Sequence, residues 1–482
     1  MKWDFEELYS MFEKNEANLL LQGKWGLERE AQRVTQKGNL ALTPHPKSLG
    51  DKQTNPEITT DFSESQLELI TPPLSMIEDV YQYLERLCEK VSFYIRDERM
   101  WPLSMPPRLP KEDEIPIATF GDDAEGKMLY QYRQGLASRY GKKMQMISGI
   151  HYNFSFGDQL VAFLHQMWGN DRQLNEFRDE VYFAVARNFL RYRWLLIYLL
   201  GASPSYDKTY ASVVQKELNR VQQCCPECCQ NEEECYVTSY RLSRYGYSNT
   251  EQGNASIRYN SKEEYVRGIR RMLTRKSHRF ANIENQLNDR ILQKDSEFYS
   301  AIRLKQVTKA KETQIDAIEK RGIEYAEVRI LDIDPYEKTG IGMEQLRFLQ
   351  VFMLFCLMEK SPSIGRREMK RITNNHHLVA LKGRKPGLRL YRSLFGKAEI
   401  LTLGEDVFIK LKKIAALLDR ELFTDNYSVS IRNEEQKLFD KNRLPSARIA
   451  MEMREHKENF VEFGMRKTAE LHHKNVEECK VC

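Results

Sequence analysis

Residues 24–30 read KWGLERE, and how this stretch is read decides the fold. In an extended strand Gly26, Glu28 and Glu30 point to one face, because strand side chains alternate with period two. An isolated Glu-x-Glu is the ordinary mark of a solvated edge strand. The question is therefore whether other strands carry matching groups.

They do. SQLELITP (65–72) alternates so that Gln66, Glu68 and Ile70 oppose Leu67 and Leu69. GIHYNFSF (149–156) sets His151, Asn153 and Ser155 opposite Ile150, Tyr152, Phe154 and Phe156. EYAEVRILDID (324–334) sets Glu327 and Arg329 opposite Ala326, Val328 and Ile330, and TTDF (59–62) adds Asp61. Taken singly, His151 reads as a core histidine and Arg329 as half of a surface ion pair. A solvent face, however, usually dilutes its acids with Lys, Thr and Ser. Gathered on one sheet, Glu28, Glu30, Asp61, Glu68 and Glu327 repel one another strongly unless cations neutralise them. Hard divalent ions are the natural partner, because Mg²⁺ takes oxygen ligands and commonly brings substrate phosphates with it. An acidic face holding two or three Mg²⁺ can bind a nucleoside triphosphate without a glycine-rich loop. Neither GxxxxGK[ST] nor GxGxxG occurs at a strand–helix junction. One histidine and no cysteine on the face argue against zinc there.

The 482 residues are 41% hydrophobic and 30% charged, which describes a globular chain with an ample core. The net charge of +5 arises from 74 basic and 69 acidic residues without a basic block, which excludes a polyanion-binding tail. MKWDFEELYSMFEKNE carries acids where a targeting peptide would be apolar. WLLIYLLGA (194–202) and FLQVFMLFCLM (348–358) fall short of the roughly 20 apolar residues of a membrane span. A cytoplasmic protein with neither nucleic-acid nor membrane partner is expected.

Helical spacing predicts helices over 1–20, 75–100 (Ser75 as N-cap), 172–201 (ended by Gly201), 343–360 and 405–422, with a charged helical tail over 446–478. The expected architecture is α+β in one large domain, 1–482. Its sheet region spans about 20–390, and a helical region over about 391–482 can pack as a separate unit. Cys88 and Cys356 read as core thiols. CCPECCQNEEEC (224–235) and the terminal CKVC (479–482) leave an odd total of 9 cysteines, against a disulfide framework. For Cys224, Cys225, Cys228, Cys229 and Cys235 three states stay open: free thiols on an exposed loop, a soft-metal site, or a redox-labile disulfide.

GLERE, TTDFSESQLELITP, DERMWPLSMP, SGIHYNFS, GASPS, RGIEYAEVRILDIDP and GRKPGL together resemble the signature stretches of bacterial glutamate–cysteine ligase, most nearly the proteobacterial (enterobacterial) type. The matches run in order from about residue 20 to 390, thin after Leu388, and end with PSARI (445–449). The resemblance implies a glutamine-synthetase-like carboxylate–amine ligase fold, with a mostly antiparallel, funnel-shaped sheet surrounded by helices. It implies ATP-dependent activation of the L-glutamate side chain as an acyl phosphate, attack by the amine of L-cysteine, and release of γ-glutamylcysteine, the first step of glutathione synthesis. ATP and two or three Mg²⁺, replaceable by Mn²⁺, are the implied cofactors, and the family type implies a monomer. No second ligase domain is evident, so completion of glutathione by another protein is expected.

Carried over by position, the metal ligands are Glu28, Glu30, Asp61, Glu68, His151 and Glu327. Arg329 and Arg133 are the catalytic, phosphate-side arginines, and Lys305 lies beside the nucleotide. The cysteine pocket is Phe62, Tyr132, Leu136, Gln145, Arg241, Tyr247 and Tyr299, in which an arginine fork suits a substrate carboxylate. DSEFYSAIR, around Tyr299, departs from the family wording. Two rivals stay open: a related ligase with a different amine acceptor, and a Cys-rich zinc- or redox-binding interaction protein.

Overall fold

The 13 residues Gly23–Thr35 form β1, the central strand of the molecule. The computed structural model describes residues 3–95, 97–169, 171–224, 236–246, 257–392 and 396–477. The other sheet strands are β2 (Ile58–Thr60), β3 (Gln66–Ile70), β4 (Glu98–Met100), β5 (Ile150–Phe156), β6 (Ile302–Lys305) and β7 (Tyr325–Leu331). Among the described residues they make a seven-stranded sheet in the order β2-β3-β1-β5-β7-β6, with β4 on the far end of β1. Every pairing is antiparallel.

One face of the sheet is apolar. Trp25, Leu27 and Ala31 of β1, Leu67 and Leu69 of β3, Tyr152 and Phe154 of β5, and Ala326 and Val328 of β7 are buried in one cluster. The helices Ile77–Tyr94, Leu174–Leu200 and Met343–Met358 contribute to the same cluster. Burying a side chain such as Leu or Phe contributes roughly 1.5–3 kcal/mol, so alternation alone commits each strand to this orientation. Arg29 also lies on this face, 2% exposed, and its Nη1 donates to the Cys88 thiol at 2.9 Å. Cys88 and Cys356 are buried free thiols, as expected.

Several expected helix bounds are corrected. The first helix ends at Lys14; Glu16 turns left-handed (φ 64°), and Ala17–Leu21 form a tighter turn that buries Leu19. The second begins at Ile77 with Met76, not Ser75, at its N-cap, and stops at Tyr94 because Glu98–Met100 pair with β1. The tail is two helices, Pro445–Glu455 and Phe460–Glu477, divided where Lys457 takes φ 55°.

The C-terminal helices do not stand apart. Leu411, Ile414 and Ile431 join the same core cluster, and Ser430 donates to the Glu344 carbonyl. Asn475 Nδ2 donates to Ser92 Oγ at 3.2 Å. Among the described residues no helix is long and apolar enough to cross a membrane. Cys224 ends a helix, whereas Cys225, Cys228, Cys229, Cys235, Cys479, Cys482 and Tyr247 lie outside the described residues.

Candidate active site

The second face of the sheet gathers the predicted groups by strand register. Glu30 lies directly opposite Glu68, Glu28 opposite His151, and Glu327 opposite both Asn153 and Arg303. Direct partners have Cβ atoms only about 5 Å apart, so residues more than a hundred positions apart become neighbours. Asn153 Nδ2 donates to Glu28 Oε1 at 2.9 Å, and the Gly149 amide donates to Glu30 Oε2 at 2.7 Å. His151 Nδ1 lies 2.8 Å from Glu28 Oε2 and 3.5 Å from Glu327 Oε1. The Glu28 carboxyl sits below its ordinary range: burial opposes this, but the bond from His151 prevails. An ionised carboxylate only accepts, so Nδ1 carries the proton. His151 Nε2 lies 3.6 Å from Glu30 Oε1.

Charge is unevenly spread over this face. Burial first, then Glu28, Asp61 and Glu30, pushes Glu68 well above the ordinary carboxyl range. Burial likewise raises Glu30. Glu327 goes the other way and is held well below that range; burial opposes, but Lys305, Arg329 and Arg303 outweigh it. Arg329 Nη1 donates to Glu327 Oε1 at 2.7 Å, while Lys305 Nζ and Arg303 Nη1 stand 3.7 and 3.9 Å from Oε2. The face therefore has an acidic half on β1 and β3 and a basic half on β6 and β7. Mutual repulsion of five bare carboxylates is not the whole picture, because protein cations already answer part of it.

The residues fit a hard cation. Ligand atoms of Glu28, His151 and Glu327 all lie within 4.8 Å of one another. Glu327 Oε2 is buried without a hydrogen bond. Carboxylate oxygens with one imidazole suit Mg²⁺ or Mn²⁺ rather than a thiophilic ion.

Beside this face opens a cleft of about 140 Å³. It brings Phe62, Tyr132, Leu136, Gln145, Arg241 and Tyr299 together with Glu30, Asp61, Arg133, His151 and Arg329. Glu28, Glu68, Glu327 and Lys305 stand on the adjoining sheet face rather than in the cleft wall. Arg241 Nη2 donates to the Arg329 carbonyl at 3.0 Å, and its Nη1 is 3.4 Å from Asp332 Oδ1. A Cβ at residue 149 would overlap the Arg241 guanidinium, so Gly149 is what lets this arginine cross the end of β5. Arg133 is differently disposed from a free phosphate fork. It donates to the carbonyls of Asp61, Thr60 and Leu129 and lies over the Phe120 ring at 4.4 Å.

Arg303, Ser296, Glu297 and Ile147 complete the cleft and are absent from the sequence reading. Arg303 was within reach, since it alternates with Lys305 in AIRLKQ. Glu297 carried no local signal. Its buried carboxylate accepts from Tyr140 Oη at 2.6 Å, Arg139 Nη1 at 3.2 Å and the Gln293 amide at 2.5 Å, tying the segment that carries Tyr299 to the helix Ala124–Tyr140. A larger cavity, about 870 Å³, opens between the helices Leu174–Leu200, Arg366–Lys382 and Ile400–Leu422. It contains none of the predicted site residues, and charged groups on its wall pair with each other, as Arg191 does with Glu368 at 2.7 Å. The predicted site residues gather at the small cleft and not at the large cavity.

Residues 8–379 match the protein family described as glutamate-cysteine ligase. The chain is 46% identical to a glutamate–cysteine ligase of Clostridium acetobutylicum over 476 residues, covering 96% of this chain and 99% of that protein. It is 39% identical to the glutamate–cysteine ligase of a Pseudomonas putida strain over 457 residues, 93% of this chain and 86% of that one. Among solved structures, a glutamate–cysteine ligase from Francisella tularensis in complex with AMP superposes with a TM-score of 0.83 at 32% identity, covering 94% of this chain and 89% of that one. A bifunctional glutathione synthetase from Pasteurella multocida gives a TM-score of 0.77 at 29% identity, covering 98% of this chain and 55% of that one.

Proposed function

This chain belongs to the glutamate–cysteine ligase family and joins L-glutamate to L-cysteine with ATP, and we propose that the two halves of its sheet face divide that chemistry between them. The reaction is stepwise. The γ-phosphoryl group passes from ATP to the glutamate side-chain carboxylate; the cysteine amine then attacks the acyl carbon, and phosphate leaves as the amide of γ-glutamylcysteine forms.

The acidic half, Glu28, Glu30, Asp61, Glu68 and His151, with Glu327 at its edge, would hold two or three Mg²⁺ ions, or Mn²⁺ in their place. When bound, these ions supply neutralisation of the phosphate charge. The basic half acts through its own donors. Arg329 commits Nη1 to Glu327 and keeps a buried Nε without a partner, an edge suited to the oxygens of the transferred phosphoryl group. Arg303 and Lys305 orient the nucleotide phosphates from β6. Arg133, with its nitrogens on three carbonyls, contributes charge and fixes the Asp61 backbone rather than forking a phosphate.

Arg241 receives the carboxylate of the cysteine substrate. Phe62 and Leu136 give the cleft its apolar wall. Tyr132, Gln145 and Tyr299 close over the thiol end. Burial of Phe62, Leu136, Gln145 and Arg241 helps to exclude water, which would otherwise hydrolyse the acyl phosphate. The single observation that carries this reading is the juxtaposition, on one sheet face, of the Glu28–His151–Glu327 cluster and the Arg329–Lys305–Arg303 cluster beside the small cleft. A monomer in the cytoplasm, folded as one domain over 1–482, is part of the same reading and rests on the family type.

The test is phosphate release by the purified protein with ATP, Mg²⁺, glutamate and cysteine, omitting each in turn. Turnover should fall to background with any omission. Turnover indifferent to cysteine would end the assignment of the acceptor pocket.

A further inference from the structure

Between the helices Leu174–Leu200 and Arg366–Lys382, beside Leu242, four cationic or imidazole side chains come together, none of them paired with an acid among the described residues. Arg193 lies on the helix Leu174–Leu200 and is 8% exposed. It makes no hydrogen bond or ion pair among the described residues, and its Nε is buried without a partner. Among the described residues only the phenols of Tyr259 and Tyr299 act favourably on its charge, and burial brings its pKa down to about 10. On the facing helix, Arg366–Lys382, His376 and His377 stand with ring centroids 5.0 Å apart. The Arg193 charge acts on both imidazoles, and Arg244 acts on His377. The Nε of Arg244 is buried without a partner too.

A guanidinium offers five donors and does not shed its charge. Buried guanidinium groups are normally answered by carboxylates or carbonyls. Arg187, on the same helix, follows that rule by donating to the Tyr259 and Ser361 carbonyls at 3.0 and 3.1 Å. Arg193 does not. Nor can the imidazoles serve as counter-ions: burial and Arg193 keep both neutral, Arg244 adds to this at His377, and protonation would only make them cations.

The histidines add a second requirement. His376 Nε2 lies 2.7 Å from the Leu242 carbonyl and so carries the ring proton, which leaves Nδ1 as a bare acceptor. Nδ1 of His376 and of His377 are both buried without a hydrogen-bond partner among the described residues. A ligand that satisfies this set must accept from guanidinium groups and donate to imidazole nitrogen at once. A carboxylate or sulfate only accepts. An oxyanion that keeps a hydroxyl at neutral pH does both.

We propose that Arg193, Arg244, His376 and His377 form a binding site for hydrogen phosphate, separate from the acidic sheet face. P–O⁻ oxygens face the guanidinium groups, and the P–OH donates to an imidazole Nδ1. The site adjoins the acceptor pocket through Leu242 next to Arg241 and through Tyr299, and its ligand is a product of the reaction.

The test is titration calorimetry of the full-length, nucleotide-free protein in Mg²⁺-free buffer, first with inorganic phosphate and then with sulfate. Wild type should bind phosphate saturably and sulfate at least tenfold more weakly. Arg193→Met should abolish the phosphate isotherm, and Arg244→Met, at a partly exposed position less prone to disturb folding, should weaken it at least tenfold. Arg329→Met, which removes a cation of the catalytic face, should leave it in place. Absence of phosphate binding in wild type, equal affinity for sulfate, unchanged binding in both the Arg193 and Arg244 variants, or loss in Arg329→Met would each overturn the site.

Discussion

Replacing Arg329 by lysine keeps the charge and removes the fork. In the wild type Nη1 is held by Glu327 Oε1 at 2.7 Å, and the buried Nε has no protein partner. Glu327 is ionised well below the ordinary range, so it will draw a lysine ammonium to itself as firmly as it draws Nη1. A lysine spent on Glu327 has nothing left for the phosphoryl oxygens, whereas arginine has a second edge. The loss is therefore one to two charge-assisted hydrogen bonds at the point where charge develops. At roughly 1.5–3 kcal/mol each, that amounts to about 1.5–6 kcal/mol, or roughly 10- to 10⁴-fold in kcat at 1.36 kcal/mol per decade. The loss should fall on kcat, because the contact tightens in the transition state, while ATP affinity changes little. The assay is coupled ADP release at saturating substrates, with ATP binding measured separately by equilibrium titration. A kcat within threefold of wild type, or a purely weaker ATP affinity with intact kcat, would refute the role given to Arg329.

Four further outcomes are expected. Glu28→Gln and Glu327→Gln should each lower turnover by about 10²-fold or more at limiting Mg²⁺ with an unchanged circular dichroism spectrum; near-normal rates in both would remove the metal-face assignment. Glu297→Ala leaves Arg139 buried without its acid and should cost about 3 kcal/mol of stability by denaturant unfolding, and it should raise KM for cysteine because the Tyr299 segment loosens. Glu337 is pushed up from an ordinary 4.5 to about 7, first by burial and then by Asp334, so its favourable contribution is complete below pH 4.5 and is lost as pH rises through 7. Discounted for partial exposure, Glu337→Gln should be about 1–2 kcal/mol more stable than wild type at pH 8 and equal to it near pH 4.5; an equal gain at both pH values would show another cause. Serine at Cys224, Cys225, Cys228 and Cys229 should leave kcat within a fewfold, since hard cations bind oxygen; stoichiometric zinc whose removal stops turnover would contradict this.

Period-two alternation is a local property, and it was enough to put Glu28 with Glu30, His151 with Asn153 and Glu327 with Arg329. Burial of the opposite apolar set forces those side chains onto the other face whatever the neighbouring strands are. The family signatures likewise lie in short contiguous stretches, so the activity and most of the cleft residues were legible before any coordinates.

What a stretch of chain cannot state is which strand lies beside which. That Glu30 meets Glu68 and Arg303 meets Glu327 follows from antiparallel register across the whole sheet. Only that register reveals the split into an acidic and a basic half, with Glu68 pushed up and Glu327 held down. Helix ends were misplaced for a related reason: the backbone turn at Glu16 and the pairing of Glu98–Met100 with β1 override local helical spacing. Glu297 and Arg193 show the limit most plainly. Each is an ordinary charged residue in sequence, and its meaning depends on whether a distant partner meets it. Arg139 and Tyr140 meet Glu297, and no acid among the described residues meets Arg193. The energy of a charge depends on burial and on neighbours a few ångströms away, and tertiary packing alone supplies both.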